Sequence, residues 1–263
     1  MKAGASLAIA SAILLASLPA RAYRPFDGTD ADVADVGEFE LELGPAHYYA
    51  TRRAHYLIAP ATVLNLGLVK NLELIVDFQN FVGLDSVPGE SRVRLLDTDV
   101  FFKWVFRRGI LQDQPGLSMA LEAGPLVPEV QGQGGFGAQA RFIFSHRWNG
   151  GAVHFNEQGA YNRAGNLDLF SSIIVEGSRE LRVRPVMELF VENEFGENAQ
   201  KYSALVGGIW QAAEGFDLDL GLRVARENDV PVSEIRLGFT WAFALWGEPS
   251  KRIAAYPMRR RFM

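Results

Sequence analysis

The chain of 263 residues contains no cysteine, which removes disulfide frameworks, thiolate nucleophiles and cysteine-ligated metals at once. Nor does it contain a run of about 20 apolar residues, the length a helix needs to cross a bilayer. Basic charge is not in excess: Lys and Arg number 26 against 31 Asp and Glu, a net charge of -5, which argues against nucleic acid as the main partner. Histidine is scarce, with His47, His55, His146 and His154 at spacings that match no metal-ligand pattern. The glycines of 132–137 precede a strand-like segment and not a helix, so they do not form a phosphate cradle. No linker or shift of composition divides the chain, and no cofactor is expected.

The N-terminus reads as a secretory leader. Lys2 supplies the positive start, residues 5–18 form a moderate apolar core, and Ala20-Arg21-Ala22 has the small-x-small form of a cleavage site before Tyr23. Removing residues 1–22 takes away two bases and no acid, leaving 24 against 31 and a mature charge of -7. At the other end, Lys251-Arg252 and Arg259-Arg260-Arg261 make a basic tail over 247–263. The expected division is therefore a leader at 1–22, one domain at 23–246, and the tail.

What fills the domain is alternation. Ile235, Leu237, Phe239, Trp241, Phe243 and Leu245 share one face of a strand whose other face carries Arg236, Gly238, Thr240, Ala242 and Ala244. Twelve such segments are predicted, at 37–44, 56–67, 71–82, 96–107, 116–126, 136–148, 151–162, 166–177, 181–195, 202–212, 215–226 and 233–245. The expected fold is an all-β, antiparallel transmembrane barrel of about twelve strands, in which hydrophobic residues at 48% are divided strand by strand between two faces. An even strand number returns both ends to one side, the periplasm for an exported outer-membrane protein of a Gram-negative bacterium. Short turns at 69–71, 149–151, 178–180 and 213–215 then face the periplasm, with a longer one at 107–115. Outer loops such as 84–94 and 127–134 are modest, leaving little material to fold inward as a constriction. Trp104, Trp148, Trp210 and Trp246 all fall near the ends of descending strands, where an aromatic girdle is expected.

Charge follows the other face. Residues expected to line the lumen are Glu73, Asp77, Asp97, Asp99, Lys103, Glu122, Arg141, Glu188, Arg223 and Arg236, with Glu38, Glu40, Glu42, Glu192 and Glu194 adding acid and Arg182 and Arg184 adding base. A lysine or arginine facing lipid at the midplane costs about 2–4 kcal/mol, so a spanning barrel requires this segregation. A soluble lipocalin-like barrel would invert the faces. The charged interior reads either as an ion-pair network bracing the wall or as a narrow polar path. Asp77, Asp97 and Asp99 converge near the outer mouth, but no metal site is assigned; Asp217 and Asp219 lie at the opposite end. Catalysis is not expected: His154 has Asn156 at its same-face position, His146 adjoins Ser145 on the opposite face, and His47 and His55 lie around the first outer loop.

Several stretches resemble the outer-membrane β-barrel family named for the meta-pathway of phenol degradation. They are Arg24-Pro25-Phe26 with Thr29-Asp30-Ala31 and Gly37-Glu38-Phe39-Glu40-Leu41-Glu42, then Leu64-Asn65-Leu66-Gly67-Leu68 with Asn71-Leu72-Glu73-Leu74, then Leu121-Glu122-Ala123-Gly124, and His154-Phe155-Asn156. Pro128-Glu129-Val130 departs from the family's pattern, as does the long tail. The resemblance implies an outer-membrane transporter-like barrel and supplies no catalytic residues. The final strand is similar to the aromatic-ended signal read by barrel-assembly machinery. Expected partners are outer-membrane lipid, that machinery during biogenesis, and a small solute, with aromatic or apolar compounds implied by the family name alone. The alternative is a closed structural barrel, or one that docks a partner through its tail.

Overall fold

The computed structural model describes residues 23–52, 54–85, 91–130, 133–196 and 199–246. The leader and the basic tail lie outside the described residues. The strands are β1 (Glu38–Thr51), β2 (His55–Val69), β3 (Leu72–Gly83), β4 (Val93–Arg107), β5 (Ser118–Leu126), β6 (Gly137–Trp148), β7 (Gly151–Tyr161), β8 (Leu167–Gly177), β9 (Val183–Glu194), β10 (Ala199–Ala213), β11 (Phe216–Glu227) and β12 (Val230–Ala244). Each pairs antiparallel with its sequence neighbour, and β1 closes the ring on β12 from Glu38↔Ala244 to Thr51↔Val232. Closure leaves no edge strand with unpaired backbone. The twelve predicted segments are thus the twelve strands of a closed barrel.

The largest departure from the predicted bounds is in β1. Pro45, lacking an N–H, reads as a strand end, yet the strand continues to Thr51 through a bulge between Leu43 and Ala46. The extra residue changes the parity of the inward face from Glu38, Glu40 and Glu42 to His47 and Tyr49. His47 is therefore buried in the barrel and not in an outer loop as expected. A second irregularity sits in β4, where the register against β3 shifts between Asp77 and Gln79 and Asp97 takes φ 50°.

All odd-numbered strands run one way from the rim where β1 begins, called here the lower rim. The outward face is predominantly apolar: Phe102, Phe142, Leu189, Val206, Leu220, Leu222, Ile235 and Leu237 are exposed, with Glu157, bonded to Ser171 at 2.7 Å, as a polar exception opposite Phe142. The even strands end at the lower rim, and there Trp104, Trp148, Trp210 and Trp246 are exposed. Arg182 is corrected by the structure. Instead of lining the interior, it lies exposed with its guanidinium 5.7 Å from the Trp210 ring centroid, on the outer side.

A twelve-strand interior is too wide for strand side chains alone to fill. Here residues 23–36, which precede β1, lie inside the lower half of the barrel as a plug without helix or strand. Ala31 and Val33 of this plug join Val105, Ala120, Ile143 and Leu111 in a buried apolar cluster. Leu111 comes from a single 3-10 turn, Ile110–Gln112, in the long lower loop. Where the plug turns into β1, Gly37 takes φ 81° and donates its N–H to the Gly67 carbonyl at 2.8 Å. Gly67 must lack a side chain, because a Cβ there would stand 1.9 Å from the Asp35 carbonyl oxygen.

Candidate functional site

An extended segment inside a barrel brings backbone donors and acceptors that no ladder satisfies, so the wall must supply the partners. It does so with side chains from five strands, β3, β6, β7, β9 and β12, and with Gln112 of the lower loop. Glu188 accepts the N–H groups of both Asp27 and Gly28 at 2.8 Å. Asn156 Oδ1 accepts from Thr29 at 3.0 Å, Ser145 Oγ from Ala31 at 2.8 Å, and Glu73 Oε2 from Ala34 at 2.5 Å. Arg236 donates to the Pro25 carbonyl at 2.7 Å and to the Asp27 carboxylate at 3.0 Å. Gln112 donates to the Ala31 carbonyl at 2.6 Å, and Lys103 to the Thr29 hydroxyl at 3.0 Å. Arg24 donates to His47 Nε2 and stands 3.4 Å from Asp219.

These contacts set the charge of the plug. Burial pushes the Asp27 carboxyl up, but the guanidiniums of Arg236 and Arg223 outweigh it and hold the group well below the usual carboxylate range. Asp30 is likewise lowered, burial being overcome by Lys103 and then His154. Arg24 moves down as burial outweighs its acidic neighbours.

Apart from Arg182, the residues assigned to the lumen from sequence face inward, and the structure sorts them by what they touch. Glu73, Lys103, Glu188 and Arg236 hold the plug. Asp77, Asp97, Asp99, Glu122, Arg141 and Arg223 line a cavity of about 440 Å³ bounded by the plug and the wall. Several of these are already paired. Arg141 lies 3.3 Å from Glu122, Arg163 lies 2.5 Å from Asp99, and Arg223 bonds Glu234. The buried charge is uneven around the ring: β1–β5 bury Glu38, Glu40, Glu42, Glu73, Asp99 and Glu122 against the single lysine Lys103, whereas the buried arginines of the wall, Arg184, Arg223 and Arg236, lie on β9, β11 and β12. Among the described residues no cluster of three His, Asp or Glu side chains has the arrangement to hold a metal ion.

One constellation escaped the sequence reading. Ser145 on β6 is the cross-strand partner of His154 on β7, and the serine hydroxyl lies 2.8 Å from His154 Nδ1. His154 Nε2 in turn faces Glu176 on β8 at 3.3 Å, and Glu176 meets Arg184 at 2.8 Å. A search along one strand finds no serine for His154, because the partner comes from the neighbouring strand. The order serine, histidine, carboxylate resembles a nucleophile relay, but its surroundings make it an anchor. Ser145 is 0% exposed, its oxygen accepts the Ala31 N–H and lies against His154 Nδ1, and His154 Nε2 stands 3.3 Å from Glu176. The polarised chain ends on the plug.

The plug itself was also missed. Its signal was a stretch of 14 residues before the first strand that is rich in aspartate and shows no sustained alternation. It coincides with the opening motif on which the family resemblance mostly rests.

No family model matches the chain, and no curated protein matches it in sequence. Solved structures do. An outer membrane channel from Pseudomonas putida F1 superposes with a TM-score of 0.62 at 9% identity, covering 83% of this chain and 100% of that one. The KdgM porin superposes with a TM-score of 0.51 at 9% identity, covering 78% and 99%. The same porin in complex with disordered oligogalacturonate gives 0.50 at 7% identity, again with 78% and 99% covered. At such identities the likeness establishes the barrel fold.

Proposed function

We propose that the chain is an outer-membrane barrel of a Gram-negative bacterium that passes small molecules, exported by a cleaved leader at 1–22 and inserted by barrel-assembly machinery. The observation that carries this reading is a polar cavity of about 440 Å³ enclosed by a wall whose outer face is apolar. An apolar exterior around a charged interior is the arrangement that lipid outside and water inside require. The exposed tryptophans at the lower rim are placed as a girdle at a membrane boundary would be. The resemblance of the opening motif to the phenol meta-pathway family supports apolar or aromatic cargo. An oligogalacturonate, the ligand of one structural neighbour, is a poorer candidate, since a polyanion would meet the acidic wall of β1–β5.

The docked plug favours a second reading, a closed barrel that braces the envelope or docks a partner through its tail. Swelling of proteoliposomes in sugars, amino acids and aromatic acids separates the two. Passage predicts swelling with a sharp size limit for the folded protein. A heat-modifiable, correctly inserted barrel that swells in none of these solutes would establish the closed reading.

A further inference from the structure

Above the plug the cavity presents three kinds of wall. Ile58, Ile75 and Phe101 make a buried apolar surface on β2, β3 and β4. Beside them stands an acidic pair: Asp77 on β3 is the direct cross-strand partner of Asp99 on β4, with Asp97 next to it. Like charges directly opposite each other are destabilising. Arg163 relieves Asp99, but among the described residues no cation stands within ion-pair distance of Asp77 or Asp97, and Asp77 Oδ1 has no hydrogen-bond partner.

A second, independent observation lies across the lumen. Arg223 is 3% exposed and lines the same cavity; one terminal nitrogen bonds Glu234, while Nε and Nη1 have no hydrogen-bond partner. The Thr62 hydroxyl, also buried and lining the cavity, is unpartnered as well. Lys201 on β10 stands six strands from β4, directly opposite it in a ring of twelve, where it is shared between Glu227 at 3.1 Å and Glu192 at 3.8 Å. Buried guanidinium donors left open are rare enough to require an explanation, and an anionic group is the partner their geometry selects.

We propose that this cavity binds amino-acid-like zwitterions with an apolar side chain. The ligand's ammonium meets Asp77 and Asp97, its carboxylate meets Arg223 and Lys201, and its side chain lies on Ile58, Ile75 and Phe101. The volume falls within the range of about 300–1,000 Å³ found for small-molecule sites. As a substrate class, the assignment rests on the passage reading above; as a binding site, it stands apart from it.

Calorimetric titration of the full-length protein in detergent micelles with L-phenylalanine, 3-phenylpropionate and 2-phenylethylamine tests the site. The three probes share a ring and differ in charge. The expected result is at least tenfold tighter binding of phenylalanine than of either analogue. Asp77→Asn is expected to lower phenylalanine affinity at least tenfold while leaving phenylpropionate unchanged, and Arg223→Gln to do the same while leaving phenylethylamine unchanged. Should Arg223→Gln not fold, Lys201→Gln reads the same arm. Equal binding of all three probes, tightest binding of a singly charged one, or an equal loss for all three in each variant overturns the assignment. Swelling of proteoliposomes in the same solutes reports on passage separately. Selective binding without swelling retains the site and removes the channel; swelling without selective binding does the reverse.

Discussion

Glu188 is the most demanding single test of the plug. Its carboxylate, 1% exposed, receives two backbone N–H groups at 2.8 Å, from Asp27 and Gly28. A hydrogen bond to a charged group contributes about 1.5–3 kcal/mol, so Glu188→Ala removes about 3–6 kcal/mol from the docking of this stretch. Relief of the buried charge's own desolvation offsets part of that, which places the expected loss at the lower end, on the order of a hundredfold in the docking equilibrium. The chain has no cysteine, so Val33→Cys supplies a unique thiol in the buried part of the plug. With fast reclosing, its labelling rate by a polar maleimide tracks the undocked fraction. Glu188→Ala is expected to raise that rate about a hundredfold and to raise single-channel conductance in planar bilayers. Glu192→Ala is the control, since Glu192 lies two inward positions higher on β9, beyond Phe190, is 3.8 Å from Lys201, and makes no hydrogen bond or ion pair with the described residues of the plug. Wild-type labelling in Glu188→Ala, or the same acceleration in the control, would refute the docking argument.

Two further outcomes follow from the same contacts. Because the Asp27 and Asp30 carboxyls are held below their ordinary range in the docked plug, their contribution is present above the unfolded value of about 3.9 and lost as pH falls below it; conductance is expected to rise as pH falls from about 5 toward 3, and unchanged conductance over that interval would contradict the sign. Gly67→Ala places a Cβ 1.9 Å from the Asp35 carbonyl oxygen, backbone that has no rotamer to yield; overpacking of about 1–3 kcal/mol is expected to speed labelling at position 33 while leaving the circular-dichroism strand signal intact, and unchanged labelling would count against a tight junction.

Much of the wall was legible in the sequence because a barrel strand repeats every two residues and its two faces meet opposite environments. Leu220 and Leu222 had to point out where Asp219 and Arg223 pointed in, and the registers of β11 follow that rule to its ends. The reading failed where the period breaks. At Gly44-Pro45 the bulge adds a residue, so His47 changes sides in a way that no alternation count predicts. It failed again where partners come from different strands: Ser145 and His154 are nine residues apart in sequence and adjacent only once the β6–β7 register is known. The plug was illegible for a different reason. Residues 23–36 have no period of their own; their order is imposed by Glu188, Asn156, Ser145 and Glu73 on the wall around them.

The acidic excess of the interior now has a division of labour that bears on selectivity. In the lower half, Glu188 receives two backbone N–H groups of the plug, and Glu73 receives one on Oε2 while its Oε1 lies 4.0 Å from Lys103. Their carboxyl groups therefore hold a closed segment in place and are sterically withheld from solutes. In the upper half, Asp77 has an unpartnered oxygen on the cavity wall, so its field reaches whatever enters. Opening and ion preference should then separate by mutation. Asp77→Asn is expected to shift the reversal potential in a potassium chloride gradient toward zero, with labelling at position 33 unchanged, because nothing it touches belongs to the plug. Glu188→Ala is expected to change labelling and conductance while leaving the sign of the preference to Asp77. If Asp77→Asn instead released the plug, or left the reversal potential untouched, the two halves of the lumen would be one electrostatic unit and the separation drawn here would fail.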